Sequence, residues 1–522
     1  MKNIILSLLA ILFLLSCYDD KSELPSIALP SIVANRTGET EYLMASVGEE
    51  FTYTPKLGRL VGKDTIPLAE SEWQDYSYQW SMTLISNGYD TTRQVIGNDR
   101  ILKATIVTEP TSGQYTYYTL ILQVVHRESG VTQNLSWKIK VLATYDLGLL
   151  VAETSDEVNS DISLIMSRTY NQNLLTYEDD TVHHKIFSKA NGMPIGGVIT
   201  SLSSVNAPNV YTDVSALVAG KTLVRMNPIT MKVTDQDQEC FFYTPKAFNP
   251  QLIFDGTGNK VMLLNNGKVQ YFEARYTSKF SVDIDSEYDL DDVYVGSTGY
   301  IDALFFDKKA EKFVQFSVNS GQVSDLGAVP TGVFDPNNLK GVECVFGDVM
   351  SGNIARWLVK KEGRYFVYEM DKVKFTGMKI YDLENCPDID KSPCYAFSIS
   401  DNEFFYAVGN ILYAVPLGGD KPTRLISYDQ FPQNEKITHL LIHKGTSGQT
   451  TWDEKIDAAT GQSVPNWRRS RYTVISVVTY DGKEGRVYTL PIQYAGSGGI
   501  APKQYVNCYD KFGRITAIAL RR

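Results

Sequence analysis

The chain has 522 residues, with 50 Lys and Arg against 60 Asp and Glu and a formal net charge of −10. Apolar residues make up 43% and charged residues 21%, ordinary globular values that exclude a disordered or fibrous chain. With no Lys/Arg run to form a basic face, nucleic acid is excluded as a partner. Five His and six Cys argue against a multi-ligand metal or haem centre, so neither a metal nor a cofactor is expected.

Residues 1–16 read as a signal peptide. Lys2 precedes an apolar run from Ile4 to Leu15, too short to span a bilayer comfortably. The run ends in Leu14-Leu15-Ser16-Cys17, which resembles a bacterial lipobox. That resemblance implies cleavage before Cys17 and acylation of its thiol; a plain secretory signal with an incidental Cys17 is the alternative. Several acyl chains on one Cys hold a protein lastingly where a single chain is marginal. The following Tyr18-Asp19-Asp20-Lys21-Ser22-Glu23 is similar to the surface-export signal of Bacteroidetes-type lipoproteins, against the plainer reading of a solvated tether. Residues 17–34, with Pro25 and Pro30, form the lipidated tether. The expected location is the outer membrane, lipid-anchored and facing the cell exterior.

From 35 to 145 short alternating strands dominate. Tyr76-Ser77-Tyr78-Gln79-Trp80-Ser81-Met82 alternates at period two, residues 113–125 form a long strand, Ser129-Gly130 a turn, and residues 135–141 the returning strand. About a hundred such residues suggest an immunoglobulin-like β-sandwich. The Tyr-x-Trp strand, the Gly-x-Tyr-x strand from Gly113 and the closing apolar strand resemble the PKD-like family of lipoproteins. The W-D-F-G-D-G-type motif of typical PKD domains is missing, so the resemblance is to the divergent branch.

Residues 146–522 are β-rich and punctuated by turns. Hairpins centred near Asp255, Asp307, Gly352, Asp401 and Asp481 recur at about 50 residues, once an insertion near 444–470 is set aside, and turns near Asp156 and Gly220 extend the series backwards less regularly. Four short strands per repeat is the signature of propeller blades, so the expected fold is an all-β β-propeller of about seven blades, with six or eight as alternatives. The terminal strand 513–520 is expected to close the ring against the first blade.

Chemistry-bearing motifs are sparse. Cys386 and Cys394 bracket a Pro-containing loop, which favours a local disulfide in an exported protein, with two free thiols as the alternative. Cys240, Cys344 and Cys508 read as buried hydrophobes in apolar strands. His439 and His443 have metal-like helical spacing, but on a strand they stand about 13 Å apart. Asp283, Asp285, Asp289, Asp291 and Asp292 have a Ca²⁺-like look without the Gly and Glu of an EF-hand loop, so a solvated loop is favoured. Residues 255–260 imitate a phosphate loop, yet flanking strands make them a hairpin turn.

The segment 443–471 is a long loop carrying Trp452, Trp467, Arg468, Arg469 and Arg471. Exposed Trp and Arg are favoured in binding sites through stacking and bidentate hydrogen bonds, which makes these five the candidate ligand-binding residues. A surface loop packed on a neighbouring blade is the alternative. PKD-like lipoproteins resemble accessory components of SusC/SusD-type nutrient-uptake systems. That resemblance implies a non-enzymatic accessory that captures or presents an oligopeptide or glycan beside a SusC/SusD-like transporter and other surface lipoproteins. A propeller hydrolase or lyase acting on glycans, and a pure protein–protein scaffold, are the competing readings.

Overall fold

The computed structural model describes residues 31–521 apart from 36–41, 108–114, 171–179, 297–302, 443–452, 457–462, 467–473 and 501–505, with interruptions of one to four residues elsewhere. The chain divides into two compact units, with the seam between Val141 and Leu142.

Period-two alternation builds the first unit. In the strand Thr132–Leu142 the side chains of Trp137, Ile139 and Val141 are buried while Ser136 and Lys138 are exposed. That strand pairs with Tyr115–His126, which pairs in turn with Tyr76–Ser86. Trp80 stands opposite Leu122 in this ladder. A three-stranded sheet (Ser31–Ala34, Leu57–Val61, Asp64–Pro67) and the pair Glu50–Tyr53 with Leu102–Thr105 complete the unit. One apolar cluster draws on all of these sheets. At its centre the Trp80 and Trp137 rings lie 5.6 Å apart, and Tyr53 meets them edge-on at 6.0 and 5.5 Å. The expected turn is present, with Gly130 at φ 70° donating to the His126 carbonyl.

Among the described residues the second unit is built of seven antiparallel sheets, with one separate two-stranded hairpin. Blade 1 runs, inside to outside, Arg514–Arg521, Gly148–Thr154, Asn159–Met166 and Thr181–His183; blade 2 runs Ser201–Ala207, Tyr211–Val218, Thr222–Met226 and Val233–Gln236. Blade 3 has three strands, Pro250–Asp255, Lys260–Asn265 and Lys268–Glu273. Blade 4 comprises Leu290–Gly296, Ala303–Asp307, Lys312–Ser317 and Gln322–Asp325; blade 5 comprises Val342–Val349, Ile354–Lys361, Arg364–Asp371 and Thr376–Asp382. Blade 6 is Tyr395–Phe397, Glu403–Val408, Ile411–Pro416 and Ile426–Tyr428. Blade 7 is Lys436–Ile442, Val474–Tyr480, Gly485–Tyr494 and Asn507–Phe512, with Gly499–Ile500 also on its third strand.

The first-named strands touch one another in ring order, and the last touches the first. A separate apolar cluster fills each of the seven gaps between neighbouring blades. Because a blade is covered on both faces, its second strand is mostly apolar and buried instead of alternating. Gly148–Thr154 is buried at every position, and the consecutive Trp357 and Leu358 serve the gaps on opposite sides of blade 5. The unit is a closed seven-bladed β-propeller. Among the described residues one short α-helix, Ile186–Asn191, packs on blade 1, and no helix is long and apolar enough to cross a membrane.

The C-terminal strand closes the ring. Arg514–Arg521 is the innermost strand of blade 1, paired with Gly148–Thr154 from Leu150 opposite Ala519 to Thr154 opposite Arg514. No open edge remains at the junction. The Gly513 N–H donates to the Glu153 carboxylate at 2.6 Å, and Arg514 forms a fork with Glu157. A Cβ on Gly513 would lie 2.5 Å from the Thr154 carbonyl oxygen, so only glycine fits this approach.

The periodic turns of the sequence belong to two different sets. Those at Asp156, Gly220, Asp307 and Asp481 join second to third strands, whereas those at Asp255, Gly352 and Asp401 join first to second strands. Successive strands reverse direction, so the two sets lie on opposite faces of the ring. The spacing is near 50 all the same, because each blade contributes one turn of either set.

Candidate functional site

The two faces differ in how their backbone is satisfied. On the face of the second-to-third turns the chain is tight. Asn266-Gly267 and Glu362-Gly363 are two-residue loops with both φ angles positive, matching the twist of the flanking strands. The Asp156 carboxylate accepts the backbone N–H groups of Val158 and Asn159 at 2.9 and 2.7 Å, and Asp481 accepts those of Lys483 and Glu484 at 2.9 and 2.8 Å. These hydrogen bonds hold both carboxyls down at about 2. The Arg486 guanidinium adds to the effect at Asp481, after its two backbone N–H donors.

The opposite face carries the longest connection in the propeller, residues 443–473, between the innermost and second strands of blade 7. It leaves from Lys436–Ile442, which borders the ring axis, so its root sits at the rim of the central channel. The expected structureless loop is corrected in part, because Asp453–Ile456 pairs antiparallel with Ser463–Asn466 and the insertion holds a β-hairpin of its own. Trp452 directly precedes this hairpin in the chain and Trp467 directly follows it. The five candidate ligand-binding residues, Trp452, Trp467, Arg468, Arg469 and Arg471, lie outside the described residues, as do Cys17 and the rest of the signal peptide and tether through residue 30.

The acidic cluster of the sequence is not gathered into one site. Asp283 accepts the Gln270 amide at 2.7 Å, and the Asp289 carboxylate is 3.9 Å from the Lys308 ammonium. Asp285 lies outside the described residues. Asp291 and Asp292 do come together, on an irregularity in the innermost strand of blade 4 between Leu290 and Tyr294. Burial, followed by the hydrogen bond and charge of Asp292, raises the Asp291 carboxyl to about 6. Among the described residues no three His, Cys, Asp or Glu side chains gather where they could hold a metal ion.

His439 lies on a strand, as its context implied, and its Nε2 is 3.1 Å from the Thr516 carbonyl oxygen across the closing seam. Burial pushes its pKa down. His443 lies outside the described residues. Sequence reasoning missed the buried ion pairs that cross the blades. Arg225 pairs with Asp213 at 2.6 Å in blade 2, and Arg356 with Glu369 at 2.7 Å in blade 5. In blade 7, Glu435 receives Arg486 and the hydroxyls of Thr479 and Tyr488. A lone Arg inside an otherwise apolar strand, as in Ile354–Lys361, is the signal that could have revealed them.

The disulfide expected between Cys386 and Cys394 is not formed, and both are free thiols. Cys386 packs in the gap between blades 5 and 6, whereas Cys394 packs in the gap between blades 6 and 7. The sheet of blade 6 separates them, and burial pushes both thiols up to about 12. Cys240 and Cys344 are buried as expected, although Cys240 closes a 3-10 turn and not a strand. Cys508, expected to be buried, is exposed, with the Tyr488 hydroxyl as its partner.

No family model and no curated protein matches the chain. Among solved structures it is similar to apo AztD from Citrobacter koseri, at 7% identity and a TM-score of 0.38, over 85% of this chain and 97% of that one. It is also similar to BamB from Moraxella catarrhalis, at 10% identity and a TM-score of 0.33, over 70% and 89% of the two chains. The Dos1 propeller matches at 12% identity and a TM-score of 0.36, over 78% and 96%. Likeness at this level carries no argument about function, and the propeller assignment rests on the seven sheets and their closure.

Proposed function

We propose that the chain is a surface-exposed outer-membrane lipoprotein of PKD-like type, anchored through Cys17, that serves a SusC/SusD-like uptake system without catalysing a reaction. It captures or presents an oligopeptide or glycan to the transporter and neighbouring surface lipoproteins. The observation that supports this reading is the insertion 443–473, rooted at the channel rim on the face opposite the tight turns. A closed propeller is rigid, and an insertion on a rigid rim can be shaped for binding without disturbing the fold. The lipobox at 14–17 and the acidic stretch after it support the anchor and its outward display.

The hydrolase reading finds no support in the Asp291–Asp292 pair. Those carboxyls are hydrogen-bonded to each other, whereas a glycosidase keeps its two at least about 5 Å apart.

The test is a pull-down from detergent-solubilised outer membrane with the full chain, with Cys17→Ala and with a deletion of residues 446–466. The expected result is recovery of a transporter with the full chain, release of Cys17→Ala from the membrane, and loss of peptide or glycan binding in the deletion. A Cys17→Ala chain that stays membrane-bound overturns the anchor. Unaltered ligand binding in the deletion overturns the role of the insertion, and a recovered transporter with no ligand at all favours the scaffold reading.

A further inference from the structure

The first unit contains a cleft of about 600 Å³ lined by the 3-10 turn Glu70–Asp75, the start of the strand Tyr76–Ser86, residues 98–100 and Arg127. This volume lies within the range of small-ligand sites. The walls are braced by hydrogen bonds. The Tyr78 hydroxyl donates to the Trp73 carbonyl at 3.3 Å, and Trp80 Nε1 donates to the Asp99 carbonyl at 2.9 Å. Arg127 Nε donates to the carbonyls of Gln74 and Tyr76 at 3.1 and 3.2 Å, and its backbone N–H to that of Asp75 at 2.8 Å. Such bracing keeps the cleft in shape before a ligand arrives.

What the bracing leaves over is charge of both signs. The Arg100 guanidinium stacks on the Trp73 ring at 3.2 Å, and among the described residues no hydrogen bond or ion pair engages its donors. Arg127 uses Nε alone, so its two terminal nitrogens remain available. Both arginines line the same cleft as Tyr78. The carboxylates of Glu70 and Asp99 line the same cleft with no partner among the described residues. Glu72, on the same 3-10 turn as Glu70, is by contrast engaged by Arg59. A guanidinium stacked on an indole keeps its edge free for a bidentate bond to a carboxylate.

We infer that this cleft binds an oligopeptide with free ends, whose carboxylate is held by Arg100 and Arg127 and whose ammonium and amide N–H groups face Glu70 and Asp99. A neutral glycan matches the cleft less well, because it would neutralise none of these four charges. The inference rests on the capture reading and deepens it by naming the ligand class and a contact in the first unit, separate from the insertion.

The experiment is calorimetric titration of the full chain with a defined set of tetrapeptides bearing free termini, the same set amidated at the C-terminus, and maltotetraose. The free peptides are expected to bind, the amides at least tenfold more weakly, and maltotetraose not at all. Arg100→Gln, which removes the charge while leaving the bracing bonds, is expected to weaken free peptides at least tenfold and to leave the amides within about twofold. Arg127→Lys checks the second cation, with the unfolding transition measured to separate lost binding from lost folding. No binding by free peptides, equal binding of free and amidated peptides, or binding of maltotetraose in their place overturns the inference. Deleting 446–466 tests the insertion, whereas Arg100→Gln and C-terminal amidation test the cleft, so failure of the insertion's role and failure of the cleft are separately visible.

Discussion

Removing the carboxylate of Glu369 tests how the propeller tolerates charge in its core. Arg356 and Glu369 sit on the second and third strands of blade 5, with side chains 0% and 4% exposed. Arg356 Nε donates to Glu369 Oε2 at 2.8 Å, and a terminal nitrogen reaches Asn402 Oδ1 at 2.5 Å, at the edge of blade 6. Glu369→Ala therefore removes a buried carboxylate that pairs with a guanidinium in a dry interior. Breaking a buried pair on one side costs about 3–5 kcal/mol. At a urea slope of about 3 kcal/mol/M this lowers the unfolding midpoint by roughly 1–1.7 M. The double variant Arg356→Met with Glu369→Leu removes both charges and fills the space, so most of the loss is expected to return. Urea unfolding of the full chain, with hydrogen exchange followed in the strand Ile354–Lys361, separates the propeller from the first unit. A Glu369→Ala cost below about 1 kcal/mol, or a double variant as unstable as the single, would refute the assignment of the pair as a dry, mutually dependent ion pair.

Acid is expected to weaken the propeller at its Asp-led turns. With Asp156 and Asp481 held near 2, below their ordinary value of 3.8, their contribution is full above about pH 4 and is lost as the pH falls towards 2; unfolding free energies across that range should flatten in Asp156→Asn with Asp481→Asn. Gly513→Ala forces a methyl group to 2.5 Å from the Thr154 carbonyl oxygen, and a loss of about 1–3 kcal/mol in urea unfolding is the expected reading. A non-reduced digest should contain no peptide joining Cys386 to Cys394, and both thiols should alkylate only after unfolding, since each is tucked into a different gap between blades.

Much of the architecture was legible because a propeller writes itself locally. Hairpins recur, the second strand of each blade is mostly apolar, and the final strand has the same apolar character as an inner strand. The closing role of 513–520 could be read for that reason: a ring of antiparallel sheets with an odd strand left at the C-terminus has one place to put it, beside Gly148–Thr154. The face on which each turn lies could not be read. Asp255 and Asp307 look alike in sequence, each an Asp after an apolar strand, yet one ends the innermost strand of its blade and the other ends the second. Nothing in a single hairpin says how many strands separate it from the axis.

The site residues were legible in the opposite proportion. Trp452 and Trp467 announced themselves because they interrupt a regular repeat, and an interruption is visible without any structure. Arg100 and Arg127 did not, because their meaning comes from what they lack. Each is an ordinary surface arginine until the fold sets it in a cleft with Trp73 and Tyr78 and leaves its terminal guanidinium nitrogens without a partner among the described residues. The Cys386 and Cys394 thiols fail in the reverse sense, since eight residues of separation suggested a bridge that an intervening β-sheet forbids. Sequence spacing reports distance along the chain, and in a blade that distance is a poor guide to which face of a sheet a side chain serves. The consequence for function is specific. A propeller of this kind offers few residues of free polar surface along its gaps, because each gap is filled by apolar side chains from both neighbours. On the function proposed above, recognition falls to what lies outside the blades, the insertion and the cleft of the first unit.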